Sequence, residues 1–546
     1  MKQKLFEYII SISIIICFCS GISFAQPTIE WVQRYSDYTN KNKRVVDTKI
    51  DKAGNIFIAG YIENNDTSRI FLTLKYNSSG TFQWARTYNC SGRWDLPVGL
   101  CVDMLGNVFV TGRSDTVSSV GYNFMISFLT IKYSGNGDVL WMRRYVNEDS
   151  ISALPRAICL DDSMNIYITG LCSNLTSNYK TAIIKYNMNG EVKWVNYYPT
   201  SANFVDYNNI VYKDRYIYLT GGTTGINNTI KISSQGDIKW EANFMNLGKK
   251  ILVDDSNNVY VGGIKKVNDD PPLYGISASK YDTSGTLVWS KYWMEYNWYL
   301  HSSGFKDMEI DKKGNVFVSG YGGQDAPYGA CYVTIKYNSI GDSLWTRIYH
   351  QAYHSADMPS SIASDRYGNV YVTGESDSAF LNFKMTTLKY DSLGNRKWTS
   401  RYPVEFTFAS SEGKFIKLDS TGNIYITGEG SGSVSGLDII TLKYSSTTGI
   451  RSITSLAPKE NKLSQNYPNP FNTTTKIEFT IKEKGEVQLI VFDILGRKVN
   501  SLVDSYKTAG KYETTFDASN LSSGIYFYRL SFNGEVIDNK KLFLIK

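Results

Sequence analysis

The fold is decided by a short stretch, Gly368-Asn369-Val370-Tyr371-Val372-Thr373-Gly374, whose last six residues have counterparts along most of the chain. Eight copies occur, each with Phe or Tyr in the third place: Asn55–Gly60, Asn107–Gly112, Asn165–Gly170, Tyr216–Gly221, Asn258–Gly263, Asn315–Gly320, Asn369–Gly374 and Asn423–Gly428. An Asp stands four residues before every copy except the fourth, as Asp51 does before the first. Turn-forming Asp and Gly beside alternating apolar residues predict a tight β-hairpin at each copy.

Each hairpin is followed by a third apolar run, a turn and a strand with a tryptophan, as in Leu72–Tyr76 and then Trp84. The eight tryptophans are Trp31, Trp84, Trp141, Trp194, Trp240, Trp289, Trp345 and Trp398. Their mean spacing of about 52 residues is that of a four-stranded propeller blade. Trp31 precedes the first set, and the eighth set, which ends near Tyr444, has no tryptophan after it. We therefore predict an all-β, eight-bladed propeller whose last blade is closed by the N-terminal strand 29–35.

The repeated segments resemble the bacterial β-propeller repeat family abbreviated SBBP. The resemblance rests on Gly368–Gly374 and on the Lys-Tyr-x-x-x-Gly-x-x-x-Trp segment Lys389–Trp398, and it covers roughly residues 28–448. The fourth copy departs most, since Tyr212 replaces the turn Asp and Tyr216 replaces the Asn. The family implies a propeller shape and no shared activity.

A different unit follows the repeats. Residues 26–448 are assigned to the propeller, 449–462 to a polar linker and 463–546 to a C-terminal unit whose strands and turns predict a small Ig-like β-sandwich. Its motifs, among them Leu463–Asn472, Val487–Asp493 and Leu521–Leu530, resemble the type A sorting domain of the bacterial type IX secretion system. The resemblance implies that residues 463–546 engage the secretion machinery in the periplasm. It also implies that the protein is secreted or held on the outer-membrane surface.

The N-terminus and the composition agree with export. Residues 1–25 have the charged start, apolar run and small-x-small end of a signal peptide, and no transmembrane segment is expected after its cleavage. The net charge of +7 over 546 residues is too dilute for a nucleic-acid surface. Five cysteines remain in the mature chain, an odd number that argues against a disulfide framework: Cys90, Cys101, Cys159, Cys172 and Cys331.

The sequence predicts no cofactor, metal or catalytic residue. Eight-bladed quinoprotein propellers also carry repeated tryptophans, but they need adjacent cysteines, and none occur here, so we expect the tryptophans to pack between blades. His350 and His354 have the spacing of a zinc-protease motif, yet Gln351 stands where that motif requires Glu. The recurrent Lys and Asp residues are interpreted as structural.

The predicted ligand site lies in the connections from the Trp strands of the fifth and sixth units to the next unit, because exposed aromatic residues suit a sugar or a protein partner. Its residues are Tyr296, Trp298, Tyr299, His301, His350, Tyr353 and His354. The same rings could instead pack over the junction between the two units. The main functional hypothesis is a binding protein rather than an enzyme. The alternatives are an extracellular carbohydrate-active enzyme using Glu295, Asp325 or Asp357 and a purely structural surface protein.

Overall fold

The protein is all-β in a computed structural model, and no helix occurs in the part of the chain that it describes. The structure describes residues 27–546 except for 28, 37–40, 66–67, 91–92, 117–124, 147–151, 174–178, 199–205, 224–225, 245, 270–271, 295–302, 324–329, 352–355, 378–382, 403–409, 432–435, 445–450, 455–457, 459 and 519–520. Most strands belong to four-stranded antiparallel sheets, as the repeated hairpin pattern predicts.

Four sheets are formed by consecutive strands in the first half of the chain. Sheet 1 contains β2 (Lys43–Ile50), β3 (Ile56–Asn65), β4 (Ser68–Tyr76) and β5 (Phe82–Tyr88). Sheet 2 contains β6 (Asp95–Val102), β7 (Val108–Thr116), β8 (Met125–Tyr133) and β9 (Val139–Tyr145). Sheet 3 contains β10 (Ser152–Leu160), β11 (Ile166–Ser173), β12 (Tyr179–Tyr186) and β13 (Val192–Tyr198), and one parallel pair joins it to sheet 2. Sheet 4 contains β14 (Tyr207–Lys213), β15 (Tyr216–Thr223), β16 (Ile226–Ser233) and β17 (Ile238–Phe244).

Three further sheets repeat this arrangement. Sheet 5 contains β18 (Asn246–Val253), β19 (Val259–Asp269), β20 (Pro272–Tyr281) and β21 (Leu287–Trp293). Sheet 6 contains β22 (Gly304–Ile310), β23 (Val316–Gly323), β24 (Ala330–Tyr337) and β25 (Ser343–Tyr349). Sheet 7 contains β26 (Asp357–Ser364), β27 (Val370–Asp377), β28 (Phe383–Tyr390) and β29 (Arg396–Arg401).

Sheet 8 takes its fourth strand from the N-terminal end of the described chain. It contains β30 (Ser411–Leu418), β31 (Ile424–Ser431), β32 (Leu437–Tyr444) and β1 (Ile29–Tyr35). Trp31 of β1 pairs with Lys443 of β32, in the register in which Trp84 pairs with Lys75 in sheet 1. The first strand of each sheet packs against the first strand of the next, and β30 packs against β2.

The hairpin turns owe their shape to the repeated Asp. The Asp51 carboxylate accepts the backbone N–H groups of Ala53 and Asn55, both at 2.9 Å, and the Asn55 side-chain amide at 2.7 Å. Sheet 4 lacks this Asp and turns through two residues of positive φ, Asp214 and Arg215. Two such residues form the type I′ turn that suits a two-residue hairpin, which explains why the fourth copy departs from the pattern.

The tryptophans pack between neighbouring sheets, as predicted. Trp84 of sheet 1 lies against Gly137 of sheet 2, and its Nε1 donates to the Gly135 carbonyl at 3.1 Å. The Lys75 ammonium donates to the same carbonyl at 2.7 Å and lies 5.2 Å from the Phe57 ring centroid. The same Trp–carbonyl bond, at 3.0–3.2 Å, joins sheets 2 to 3, 3 to 4, 4 to 5, 5 to 6 and 6 to 7. The recurrent Lys and Trp therefore hold the sheets together.

The C-terminal part forms two more antiparallel sheets. One has the order β33 (Arg451–Thr454), β38 (Gly510–Asp517), β35 (Thr474–Ile481), β34 (Lys462–Leu463), and the other has the order β37 (Lys498–Lys507), β36 (Gly485–Phe492), β39 (Gly524–Phe532), β40 (Glu535–Leu544). Side chains of both sheets share one buried apolar cluster. Strand β33 falls within the segment predicted as linker and pairs with β38, so the C-terminal fold recruits part of that segment.

Candidate functional site

The connections between successive sheets emerge at one end of the strands, which we call the loop face. Before sheet 2, the Arg93 carbonyl accepts the N–H of Arg69 at 2.7 Å, and before sheet 6 the N–H of Ser303 donates to Tyr274 at 2.8 Å. The ends of these connections thus lie beside the third strands of the preceding sheets. The Asp-containing hairpin turns lie at the opposite end, which we call the turn face.

Of the seven predicted ligand residues, the structure describes His350. It is exposed and directly follows β25 on the loop face. The other six fall outside the described residues: Tyr296, Trp298, Tyr299, His301, Tyr353 and His354. Their convergence with His350 therefore stays a prediction.

The connection that carries His350 is anchored by a buried carboxylate. Asp357 begins β26 and is 0% exposed, and its Oδ2 accepts the N–H of Gln351 at 2.9 Å. Gln351 in turn accepts the Tyr349 hydroxyl at 2.7 Å. Asp95 anchors the connection before sheet 2 in the same way, accepting the N–H of Cys90 at 2.8 Å. Asp357 is thus buried at the loop base, which argues against its use as a hydrolase carboxylate; Glu295 and Asp325 lie outside the described residues.

Two other carboxyl groups lie near each other on the loop face. Glu375 follows the motif glycine of β27, and Glu412 lies near the start of β30 in the next sheet. Burial, and then the charge of Glu412, raise the pKa of Glu375 to about 7. Glu412 accepts the Ser360 hydroxyl at 3.0 Å. Glu375 can therefore hold its proton near neutral pH and donate a hydrogen bond, whereas Glu412 acts as an acceptor.

An aromatic and basic cluster lies on the same face over sheets 1 and 2. The Trp94 ring has the guanidinium of Arg69 4.4 Å and that of Arg113 5.2 Å from its centroid. Arg113 also donates to the Asp115 carboxylate at 2.6 and 2.8 Å. Cation–π contacts with both guanidinium groups fix the orientation of the partly exposed Trp94 ring.

Sequence reasoning missed both the Glu375–Glu412 pair and the cluster around Trp94. Trp94 carried one signal, because it stands outside the tryptophan period of about 52 residues. Glu375 carried none, since the residue after the motif glycine differs from copy to copy, from Tyr61 to Glu429. No cluster of three or more His, Cys, Asp or Glu suited to a metal ion occurs among the described residues.

Comparison with known families supports the two resemblances. Residues 465–545 match the family described as "Secretion system C-terminal sorting domain", and residues 345–380 match "Beta-propeller repeat". The chain therefore combines a β-propeller repeat with a type IX sorting domain. Such a tail indicates secretion or export to the cell surface and an interaction with the secretion machinery. In the described part of the chain, no helix has the length and apolar character that a membrane crossing requires.

Individual proteins show more distant similarity. An uncharacterized WD repeat-containing protein, L264, of Acanthamoeba polyphaga mimivirus is 25% identical over 232 residues, which is 38% of this chain and 14% of that protein. The WD40 domain of SCAP from fission yeast superposes with a TM-score of 0.43 at 7% identity, covering 76% of this chain and 99% of that one. A putative 6-phosphogluconolactonase from Bacteroides fragilis gives 0.37 at 11% identity, covering 74% and 99%. None of these similarities bears on what this chain binds.

Proposed function

We propose that the protein is an exported or surface-displayed propeller that binds a glycan or a protein through its loop face. The observation that carries the proposal is the sorting domain at residues 465–545 on the same chain as a propeller repeat. A signal peptide at 1–25 and passage through the periplasm complete the proposed route.

The proposed architecture is a closed eight-bladed propeller at 26–448, a linker at 449–462 and an Ig-like sandwich at 463–546. Closure is supported by the pairing of β1 with β32 and by the packing of β30 against β2. A closed ring leaves no unpaired sheet edge between the first and last blades. The Ig-like assignment is supported by two antiparallel sheets around one apolar cluster.

The loop face is the proposed binding surface because it gathers the chain's irregular connections on a rigid scaffold. Aromatic residues of two connections, Trp298 and Tyr353, would offer stacking surfaces, and His350 is exposed at the end of β25. The Asp357–Gln351 bond supports this proposal, since an anchored loop loses less conformational entropy when it binds.

Binding is tested with the mature full-length chain on a glycan array and in pulldowns from extracellular material. Trp298→Ala should weaken capture of the best-bound glycan or protein by roughly tenfold or more, because a stacking aromatic contributes about 1–3 kcal/mol. Tyr367→Ala on the turn face is the matched control and should leave capture unchanged. A Trp298→Ala protein that binds as well as the unaltered chain but melts at a lower temperature contradicts the proposed role of Trp298.

A second candidate function is glycoside cleavage, and the observation favouring it is the Glu375–Glu412 pair. A carboxyl group with a raised pKa beside a second carboxyl group is the arrangement that general acid and base chemistry needs. Release of reducing ends from polysaccharides, abolished by Glu375→Gln with the fold intact, would support it. Retained binding without any turnover would exclude it in favour of a binding protein.

A further inference from the structure

The two C-terminal sheets present outer faces of different character. We call them sheet 9 (β33, β38, β35, β34) and sheet 10 (β37, β36, β39, β40). On the outer face of sheet 9, polar side chains of β35 and β38 neutralise each other. The Lys476 ammonium lies 3.1 Å from a carboxylate oxygen of Glu513, and the Lys511 ammonium lies 2.8 Å from one of Glu478. This face therefore satisfies its own charges.

Sheet 10 instead exposes apolar side chains on its outer face. Buried and exposed residues alternate along β39, and its Ile525 and Phe527 are 40% and 37% exposed. Phe543 of β40 is 38% exposed and stands directly opposite Ile525. Phe492 of β36 stands directly opposite Phe527. Opposite residues of antiparallel strands share a face and lie close enough to touch, so these four side chains form one continuous surface, which we call the aromatic patch.

Two exposed basic side chains lie beside the rings of the aromatic patch. The Arg529 guanidinium is 5.1 Å from the ring centroid of Phe492. The Lys541 ammonium is 5.9 Å and 5.8 Å from the ring centroids of Phe527 and Phe543. Neither cation forms an ion pair with any residue that the structure describes. Unlike the lysines of sheet 9, these two cations are therefore available to carboxylates of a partner.

The repeat sheets contact sheet 10 at the edge away from the aromatic patch. The strand order places β37 at one edge of sheet 10 and β40 at the other. On the turn face of sheet 7, the Tyr367 hydroxyl donates to the backbone carbonyl of Asp504 in β37 at 3.4 Å. Tyr367 also lines a cleft with Lys498 and Leu502 of the same strand. The aromatic patch, on β36, β39 and β40, therefore stays accessible while the two parts of the chain touch.

The edge of sheet 10 next to the aromatic patch is already occupied. The Phe471 N–H donates to the Phe543 carbonyl at 2.9 Å, and the Ile545 N–H donates to the Phe471 carbonyl at 2.9 Å. The Phe543 N–H donates to the Asn469 side chain at 2.8 Å. Because the domain's own segment 469–471 takes these edge groups of β40, a partner cannot add a strand there. It must bind the outer face through side chains.

We propose that the aromatic patch, with Lys541 and Arg529 beside it, is the surface through which the chain docks on a protein of the type IX secretion machinery. The patch lies within residues 465–545, the part of the chain that matches the sorting domain and so interacts with that machinery. An exposed apolar patch rimmed by polar groups is typical of a protein interface. The complementary surface is apolar, with carboxylates that face the two cations. The proposal rests on the export role of the C-terminal domain and names the face that performs it.

The test is photo-crosslinking of the full chain in a bacterium with a type IX secretion system. Benzoylphenylalanine, which keeps an aromatic ring, replaces Phe527 or, as the control, the exposed Thr515 on the outer face of sheet 9. Light should join the Phe527 position to a protein of the secretion machinery, identified by mass spectrometry, about tenfold or more in excess of the Thr515 position. No such crosslink, equal crosslinking from both positions, or a crosslink only to a second copy of the chain overturns the proposal.

Export of charge variants gives a second readout. Phe527→Glu should lower the amount of chain at the surface by about tenfold or more, because it places a charge within an apolar contact. Thr515→Glu makes the same change of charge on sheet 9 and should be exported as the unaltered chain is. Lys541→Glu should also reduce export, whereas Lys541→Arg keeps the cation and should retain it. Unchanged melting temperatures show that the variants fold, and normal export of a folded Phe527→Glu chain overturns the proposal.

A chain that ends at Lys462 separates failure of this surface from failure of the export role. Export of that truncated chain would show that the C-terminal domain is not the export signal. Retention of the truncated chain beside normal export of Phe527→Glu would show that the domain acts through another surface.

Discussion

At the scale of single residues, the turn glycines between the third and fourth strands, apart from Gly236, meet two requirements. Gly137 has a φ of +89°, and a Cβ there would lie 2.8 Å from the Trp84 ring of the preceding sheet. Gly80 meets Trp31 and Gly394 meets Trp345 in the same way. The repeat therefore requires a glycine both for the turn and for the tryptophan packed against it.

Two glycines of sheet 2 allow the cost of positive φ to be measured apart from the cost of displacing the tryptophan ring. Gly106 has a φ of +78°, but nothing lies within 4 Å of a Cβ placed there. Gly106→Ala should lower the free energy of unfolding by about 1–2 kcal/mol through backbone strain alone. Gly137→Ala should lower it further, because Trp84 must move as well. Chemical denaturation measures both, and equal losses would show that the Trp–Gly contact contributes nothing.

The protonation of Glu375 predicts a pH effect on stability. Its folded pKa of about 7 lies above the usual 4.5, so the folded state binds more protons than the unfolded state between these values. The contribution of Glu375 to stability is therefore lost as pH rises from about 4.5 to 7. Glu375→Gln should stabilise the protein at pH 8 by on the order of 1–3 kcal/mol and change little at pH 4. Thermal denaturation at the two pH values checks this, and an equal effect at both would contradict the raised pKa.

Residues of the repeat could be predicted from sequence, whereas the faces occupied by residues of the first strands could not. The turn Asp, the motif aromatic and the Trp recur at fixed offsets, so the same structural role could be assigned to each of them in every copy. The first strand of each sheet instead contains a bulge, as between Val45 and Asp47 and between Gly413 and Phe415. A bulge inserts one residue and reverses the alternation of side chains, so the sheet face that each residue after the bulge occupies could not be read from period-2 patterning.

At the scale of elements, β1 occupies the place of a fourth strand but is held differently from its counterparts. Lys443 forms an ion pair with Glu30 at 2.8 Å, whereas the equivalent Lys75 donates to a backbone carbonyl of the next sheet. The Trp31 Nε1 is buried and has no acceptor in the described residues, although its ring packs on Gly80. The junction between sheets 8 and 1 thus keeps the Trp–Gly packing of the other junctions. Among the described residues, it lacks the Trp–carbonyl hydrogen bond that six of those junctions have.

This difference predicts unequal costs for matching substitutions. Trp84→Ala should cost about 3–5 kcal/mol of unfolding free energy because it empties a buried site and removes a hydrogen bond. Trp31→Ala should cost less by about 1 kcal/mol, the contribution of the bond that Trp31 lacks. Chemical denaturation of both variants tests the comparison. A negligible cost at Trp31 would mean that β1 does not complete sheet 8.

The anchored connection before sheet 7 gives a second prediction at this scale. Asp357→Ala leaves the N–H of Gln351 without its acceptor, so residues 350–356 should open more often. Hydrogen exchange should show faster exchange of the Gln351 amide by roughly tenfold or more. Asp342→Ala, in the exposed turn before β25, should leave that amide unchanged. Unaltered exchange in the Asp357 variant would show that the carboxylate does not hold the loop.

The strand pattern was largely predictable, because every hairpin is local in sequence and bears its own turn signals. The structure added β33, whose four residues lie in a polar stretch and pair with β38 about 60 residues later. Pairing across such a distance leaves no local signal. The six aromatic and His residues of the predicted site stay a prediction, since they lie in connections outside the described residues.

At the scale of the whole molecule, the chain couples a repeated β scaffold to a tail that directs export. The repeat, by its periodicity, and the tail, by its motifs, were both recognisable from sequence, and both families are matched. The identity of the ligand was not, because loop residues vary independently of the scaffold that carries them. Export is therefore the part of the function that the sequence of the chain specifies most fully.

The most direct measurement is the location of the protein in a bacterium with a type IX secretion system. The full chain is compared with a chain ending at Lys462, and a neutral periplasmic carrier is fused either to residues 451–546, which include β33, or to 463–546. We expect the full chain and the 451–546 fusion to reach the surface or the medium, as judged by protease accessibility of intact cells. We expect the truncated chain to fold but to stay inside the outer membrane. Surface delivery of the truncated chain, or retention of both fusions, would contradict the role of the C-terminal domain in export.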